Sequence, residues 1–131
     1  MNLQAQTIWD SLEFRTPAIL AAVDRVSEQE FQWLPPNGAN PIAWLLWHIA
    51  EVEDNWVRDK LLVLPRRYPF GTSVKARGDA AWPSKTELVA YFHEVRALTR
   101  ERLERTSEDD FDREIADEHY GSLTVRAVWA G

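Results

Sequence analysis

Three histidines, His48, His93 and His119, carry the side chains best suited to metal or proton chemistry in this chain, which has no cysteine. Without thiols, a disulfide scaffold, a thiolate metal site and a cysteine nucleophile are excluded. His48 falls in the run Trp44-Leu45-Leu46-Trp47-His48-Ile49-Ala50-Glu51, apolar enough for a helix buried on several sides. At helical spacing it shares a flank with Trp44, Glu51, Asn55 and Asp59. An imidazole edged by a carboxylate and an amide suits a metal ligand with polar support. It equally suits a core histidine hydrogen-bonded to a neighbour, and spacing alone leaves both readings open. Either way His48 is expected to be mostly buried, with Glu51 or Asn55 as its partner, because an unpaired buried imidazole is costly. His93 points away from the apolar stripe of its helix, beside Arg100 and Glu104, and reads as exposed. His119, within Asp117-Glu118-His119-Tyr120, reaches a metal only if that segment folds back. There is no glycine-rich phosphate loop, nucleophile elbow or paired-histidine zinc motif. No carboxylate pair is placed well enough to argue glycoside hydrolysis.

The elements that must position these residues read as helices. Leu3 to Val26 is amphipathic, with Ile8, Leu12, Ile19, Val23 and Val26 on one arc, and Pro17 kinks or splits it. Ser27-Glu28-Gln29-Glu30 has the capping-box form and opens a short apolar turn, Phe31 to Leu34. Pro35-Pro36-Asn37-Gly38 then breaks the chain. The second helix takes Asn40 as its cap and Pro41 as its first residue. Its core stripe is Ile42, Leu45, Leu46, Ile49, Val52 and Trp56, and it runs to about Lys60 or Leu64. Pro65 to Pro83 is a long irregular connection. Its Arg66, Arg67, Lys75 and Arg77 make either a solvated loop or a contact for an anion. Ser84 and Glu87 form a second capping box, opening a third helix that buries Leu88, Tyr91, Phe92, Val95, Leu98, Arg102 and Leu103. Ser107 to Asp110 starts a short acidic turn, and Phe111 to Gly121 reads as irregular. Leu123 to Trp129 opens a fourth helix capped by Thr124 or Ser122. Three helices of roughly twenty residues facing a fourth of about eight leave apolar surface uncovered. The expectation is therefore a shortened or truncated last helix, a domain incomplete at its C-terminus, and a groove that a second copy covers.

With 131 residues, 45% apolar and 27% charged, the chain is sized for one folded domain, residues 1–131. Fifteen basic against twenty-one acidic residues give a net charge of −6, which excludes nucleic acid and anionic membrane as general partners. The longest apolar runs, Ala18–Val23 and Pro41–Trp47, fall far short of the ~20 residues of a membrane span. Met1-Asn2-Leu3-Gln4-Ala5 has neither a basic start nor an apolar signal core, so the expected location is cytoplasmic. Seven tryptophans point to a tight core or an aromatic pocket.

The stretch Asn40-Pro41-Ile42-Ala43-Trp44-Leu45-Leu46-Trp47-His48-Ile49-Ala50-Glu51-Val52-Glu53-Asp54-Asn55-Trp56 resembles the second helix of the DinB-like superfamily. These are bacterial helical-bundle proteins named for a DNA-damage-inducible, stress-response member. In outline the resemblance covers the whole chain, ending with Leu123-Thr124-Val125-Arg126-Ala127-Val128-Trp129 as the start of a fourth helix. It implies an all-α, up-down-down-up four-helix bundle, commonly a homodimer, holding one divalent metal, zinc or nickel, with three histidines. The second-helix histidine of the pattern matches His48. The other two come from the fourth helix, which here reaches Gly131 before their expected positions, so the metal site reads as incomplete in this chain. Characterised relatives include S-transferases and isomerases that use bacillithiol, mycothiol or glutathione. The resemblance thus implies a divalent-metal-dependent enzyme acting on a small-molecule substrate with a small-molecule thiol. The alternative is a non-catalytic bundle acting through dimerisation or partner binding.

Overall fold

Asn2 opens the first helix, α1 (Leu3–Phe14), its side chain accepting the N–H of Ala5 at 2.9 Å. Pro17 then acts as expected. It sits in the first turn of α2 (Thr16–Arg25), where its missing N–H costs nothing, and the two helices part at Arg15. The capping box at Ser27 and Glu30 is fully formed and starts α3 (Glu28–Gln32), which buries Phe31. The computed structural model describes residues 1–70 and 82–130 of the chain.

The second long helix, α4 (Ile42–Asn55), begins one residue later than expected. Pro41 lies outside it in extended backbone as the cap, and Asn40 plays no capping part. The larger correction is its phase. Leu45, Ile49 and Val52 of the expected core stripe are exposed, whereas Ala43, Trp44, Leu46, Trp47, Ala50, Asp54 and Asn55 are buried. The buried face is rotated by about one residue, ~100°, from the expected one. The helix continues as a π-helical turn, Trp56–Leu61, and ends where Val63 adopts a left-handed φ of 53°. A β-branched residue holds that conformation only at a cost of roughly 1–3 kcal/mol.

The third long helix, α5 (Lys85–Glu104), starts at the expected capping box of Ser84 and Glu87. Leu88, Tyr91, Phe92, Val95 and Leu103 are buried, Leu98 and Arg102 partly so, and His93 is exposed, all as its spacing indicates. Arg96 and Thr99 are buried as well, which spacing did not signal. Val95→Ala is therefore expected to cost on the order of 1–3 kcal/mol, while His93→Ala costs less than ~0.5 kcal/mol. Urea unfolding of both variants checks this, and the reverse order would mean that α5 is turned the other way.

The C-terminal segment departs from the irregular stretch expected for Phe111 to Gly121. After a short 3-10 turn (Asp109–Asp112), Glu114–Asp117 and Gly121–Thr124 pair as antiparallel strands β1 and β2, with Ile115 opposite Leu123. Gly121 turns the hairpin at a φ of 73°, which favours a residue without Cβ. Lys60 clamps the hairpin to the π-helical turn through Asp117 at 2.9 Å. That ion pair, with the N–H groups of Tyr120 and His119, lowers the Asp117 carboxyl to about 2. The last helix, α6 (Val125–Ala130), is capped as expected by Thr124, whose hydroxyl oxygen accepts the N–H of Ala127.

Packing divides into two apolar clusters. One joins α2, α3, α4 and the first half of α5 around Phe31, Leu46, Leu88 and Val95. The other joins the start of α1, the π-helical turn, the end of α5 and α6 around Leu61, Leu103, Phe111 and Val128. The architecture is all-α apart from one small hairpin. Among the described residues, no helix is long and apolar enough to cross a membrane.

Candidate functional site

His48 lies half-buried on a flank of α4, its ring stacked on Trp44 with centroids 4.5 Å apart and planes 14° from parallel. Trp47 closes a second side at 6.1 Å. The expected polar partners are engaged elsewhere. Asn55 donates from Nδ2 to Glu51 Oε1 at 2.9 Å, and its Oδ1 accepts the backbone N–H of Arg67 at 3.0 Å. The reason is helical spacing. Glu51 and Asn55 are four residues apart and meet directly, whereas Asn55 is seven residues, about 10.5 Å of helix axis, beyond His48. The imidazole consequently has aromatic neighbours, and its Nδ1 is buried with no hydrogen-bond partner among the described residues.

A second polar cluster, unannounced by sequence spacing, lies where α4 meets α5. Asp54 is fully buried. Its Oδ2 accepts the Tyr91 hydroxyl at 2.8 Å and Arg67 Nε at 2.7 Å, while Oδ1 has no hydrogen-bond partner among the described residues. Arg67 also donates to Glu94 at 2.7 Å and stacks over the Tyr91 ring. Burial and the adjacent Asp54 carboxylate push the Tyr91 phenol far above its ordinary range, so it remains a hydrogen-bond donor. Burial works against the charge on Arg67, but its bonds to Asp54 and Glu94 outweigh that and hold it protonated. The only sequence signal for this cluster was the acidic residue beside an amide at Asp54-Asn55, and the misplaced phase of α4 hid it.

The two described basic residues of the connection that follows the π-helical turn are both paired with carboxylates. Arg66 is paired with Asp59 at 3.0 Å and Arg67 with Asp54 and Glu94. Lys75 and Arg77 lie outside the described residues. His93 and His119 are both exposed, on α5 and on the hairpin turn. Among the described residues, no group of three His, Cys, Asp or Glu side chains stands close enough to hold a metal ion.

Beside these clusters an apolar groove of about 350 Å³ runs between α1, α2 and the outward face of α4, closed at one end by α6. Leu12, Ile19, Ile49, Val52, Trp56 and Trp129 are among its walls. Arg96 lies at its base and ties the surrounding helices together. It donates from Nε and Nη2 to the two oxygens of Glu53, each at 3.1 Å, and from Nη1 to Glu13, Thr16 and the Leu12 carbonyl.

A family model described as the DinB superfamily matches residues 11–130 of the chain. No curated protein matches it.

Proposed function

The chain belongs to the DinB superfamily, and from that premise we propose that it is a cytoplasmic, divalent-metal-dependent enzyme of the thiol S-transferase or isomerase type, to which His48 contributes one metal ligand. The observation that carries the proposal is the state of that imidazole. It is held by the stacked Trp44 ring, and its buried Nδ1 has no hydrogen-bond partner among the described residues. A core histidine retained for stability alone would be expected to spend both nitrogens on partners or water.

The fit is to one ligand rather than to a closed site, because a catalytic zinc or nickel needs about three protein donors. When bound, the ion supplies Lewis acidity that makes a coordinated thiol or water acidic enough to ionise near neutrality. The thiol is a small-molecule cofactor, since the chain has no cysteine. The chain's own residues orient and shape. Trp44 sets the plane of the imidazole, and Asn55 holds the Glu51 carboxylate one turn beyond it.

A second reading, a non-catalytic bundle that works through dimerisation or partner binding, is favoured by the apolar groove. Metal analysis separates the two. After equilibration with Zn²⁺ or Ni²⁺, the protein is expected to retain a divalent ion, and His48→Ala to weaken retention by ~10-fold or more with unchanged helical circular dichroism. A folded protein that retains no ion, or a His48→Ala variant that retains as much, would remove the enzyme reading in favour of the second.

A further inference from the structure

The turn Pro35-Pro36-Asn37-Gly38 joins α3 to α4 and belongs to neither apolar cluster. Asn37 and Gly38 are both exposed. Gly38 holds a left-handed φ of 78°, and no heavy atom lies within 4 Å of where a Cβ would stand. The Asn37 side chain is folded forward along the chain, its Oδ1 accepting the backbone N–H of Ala39 at 3.2 Å. A turn of this kind carries the carboxamide across the peptide nitrogen of the intervening residue, here Gly38. The bond also draws electron density from the side-chain carbonyl and makes Cγ a better electrophile. Asn37 Nδ2, by contrast, makes no hydrogen bond among the described residues.

The chain has four asparagines, and the other three stand where attack by the next backbone nitrogen is blocked. Asn40 precedes Pro41, whose ring nitrogen has no proton to give up. Asn2 is held at both ends of its carboxamide, Oδ1 by the Ala5 N–H at 2.9 Å and Nδ2 by the Thr106 carbonyl at 2.8 Å. Asn55 is buried with both carboxamide atoms bonded, and the N–H of Trp56 after it is bonded to the Glu53 and Val52 carbonyls. Leu3 and Trp56 also crowd the nitrogen that would attack, whereas Gly38 has no side chain to do so.

We propose that Asn37 is a site of spontaneous deamidation, with the backbone of Gly38 as the nucleophile. The Gly38 nitrogen attacks Asn37 Cγ, and the new N–Cγ bond closes a cyclic imide. The Cγ–Nδ2 bond breaks, and ammonia leaves with the proton of the Gly38 N–H. Water then opens the ring. Attack at Cγ returns an ordinary main chain with aspartate at the position. Attack at the main-chain carbonyl breaks its bond to the Gly38 nitrogen and leaves the chain running through the side-chain carbon, as isoaspartate. Nothing is oxidised or reduced, and water is the one co-reactant. Either product adds a carboxylate to a link that ends at the buried Pro41, and isoaspartate also lengthens that link by one carbon. The reaction involves neither His48 nor the groove, so it stands under either reading of function.

Storage of the purified full chain in warm, mildly alkaline buffer, followed by peptide mass mapping, tests the proposal. Asn37 is expected to convert first, with the mass change of NH replaced by O, while Asn2, Asn40 and Asn55 keep their carboxamides. Conversion should quicken as the pH rises, because the ionised amide nitrogen is the attacking species. Part of the product should accept a methyl group from S-adenosylmethionine through an isoaspartyl carboxyl methyltransferase, which distinguishes the cyclic imide from direct hydrolysis. Asn37→Gln should abolish the conversion, and Gly38→Ala, whose Cβ shields the attacking nitrogen, should slow it severalfold, both with helical circular dichroism intact. A synthetic peptide of residues 35–40 sets the interval over which the free sequence converts. A chain whose Asn37 is unchanged after that interval, one in which another asparagine converts first, or a product without isoaspartate would overturn the proposal.

Discussion

Arg96→Ala is expected to destabilise the protein by about 3–5 kcal/mol, the scale for removing one partner of a buried ion pair. The Arg96 side chain is 10% exposed and that of Glu53 13%, so both charges are largely withdrawn from water. The network does more than pair two charges. Where α1 gives way to α2, the Leu12 carbonyl accepts from the Thr16 hydroxyl at 3.0 Å and from Arg96 at 3.2 Å. Arg96 thus bonds the backbone where α1 gives way to α2 and holds that junction against α4 and α5. Its loss strands the Glu53 carboxylate and frees the junction together. The midpoint of urea unfolding measures the effect. Arg100→Ala serves as the control, because its pair with Glu104 is exposed and such pairs are worth roughly 0–1 kcal/mol. Arg96→Met combined with Glu53→Leu should recover much of the loss, since an apolar pair of similar volume leaves no charge behind. Equal costs for Arg96→Ala and Arg100→Ala would show that the network contributes nothing.

That network also shows where the sequence stopped being readable. The capping boxes at Ser27 and Ser84 are local, each a side chain and a backbone N–H three residues apart, so their residue types alone announce them. The phase of α5 is equally open, because Leu88, Tyr91, Phe92 and Val95 stand out against Glu87, His93, Glu94 and Arg100. The phase of α4 lacks that contrast. Trp44, Leu45, Leu46 and Trp47 are apolar nearly all round, and periodicity has little to select between faces. What settles the question is that Asp54 and Asn55 face inward, and they do so because Tyr91 and Arg67 bond them there. Those partners are 37 and 13 residues from Asp54, and no local pattern reveals them.

The same physics divides the candidate site. The flank that His48 occupies was legible from helical geometry, and so was the family, through the run from Asn40 to Trp56 that the match over residues 11–130 contains. The partners of His48 were not legible. Residues sharing a flank compete for one another, and the Glu51–Asn55 pair, at better spacing, excludes the imidazole. The hairpin escaped for a different reason. Each strand has four residues and only Ile115 and Leu123 alternate inward as a pair, too little for a period-two pattern to register.

Phe111→Ala is expected to cost about 3–5 kcal/mol, the range for truncating a buried aromatic. The loss should fall first on one end of the molecule. Phe111 is fully buried at the centre of the second apolar cluster, among Ala5, Leu61, Leu103 and Val128, with the Arg126 guanidinium 5.8 Å from its ring centroid. The polar bonds of α6 lie mostly at its start. Its first N–H bonds the Arg113 carbonyl at 2.9 Å, and Arg126 pairs with an exposed Asp112. A helix of six residues has no stability of its own, so its order depends on that packing. Without the Phe111 ring, Val128 and Trp129 lose their footing, and with them goes the end wall of the groove. Hydrogen exchange should therefore show the amides of Val125–Ala130 losing protection before those of α5 around Leu88 and Val95, which belong to the other cluster. If Phe111→Ala cost under ~1 kcal/mol, or if α6 stayed as protected as α5, the second cluster would not be what seats the last helix.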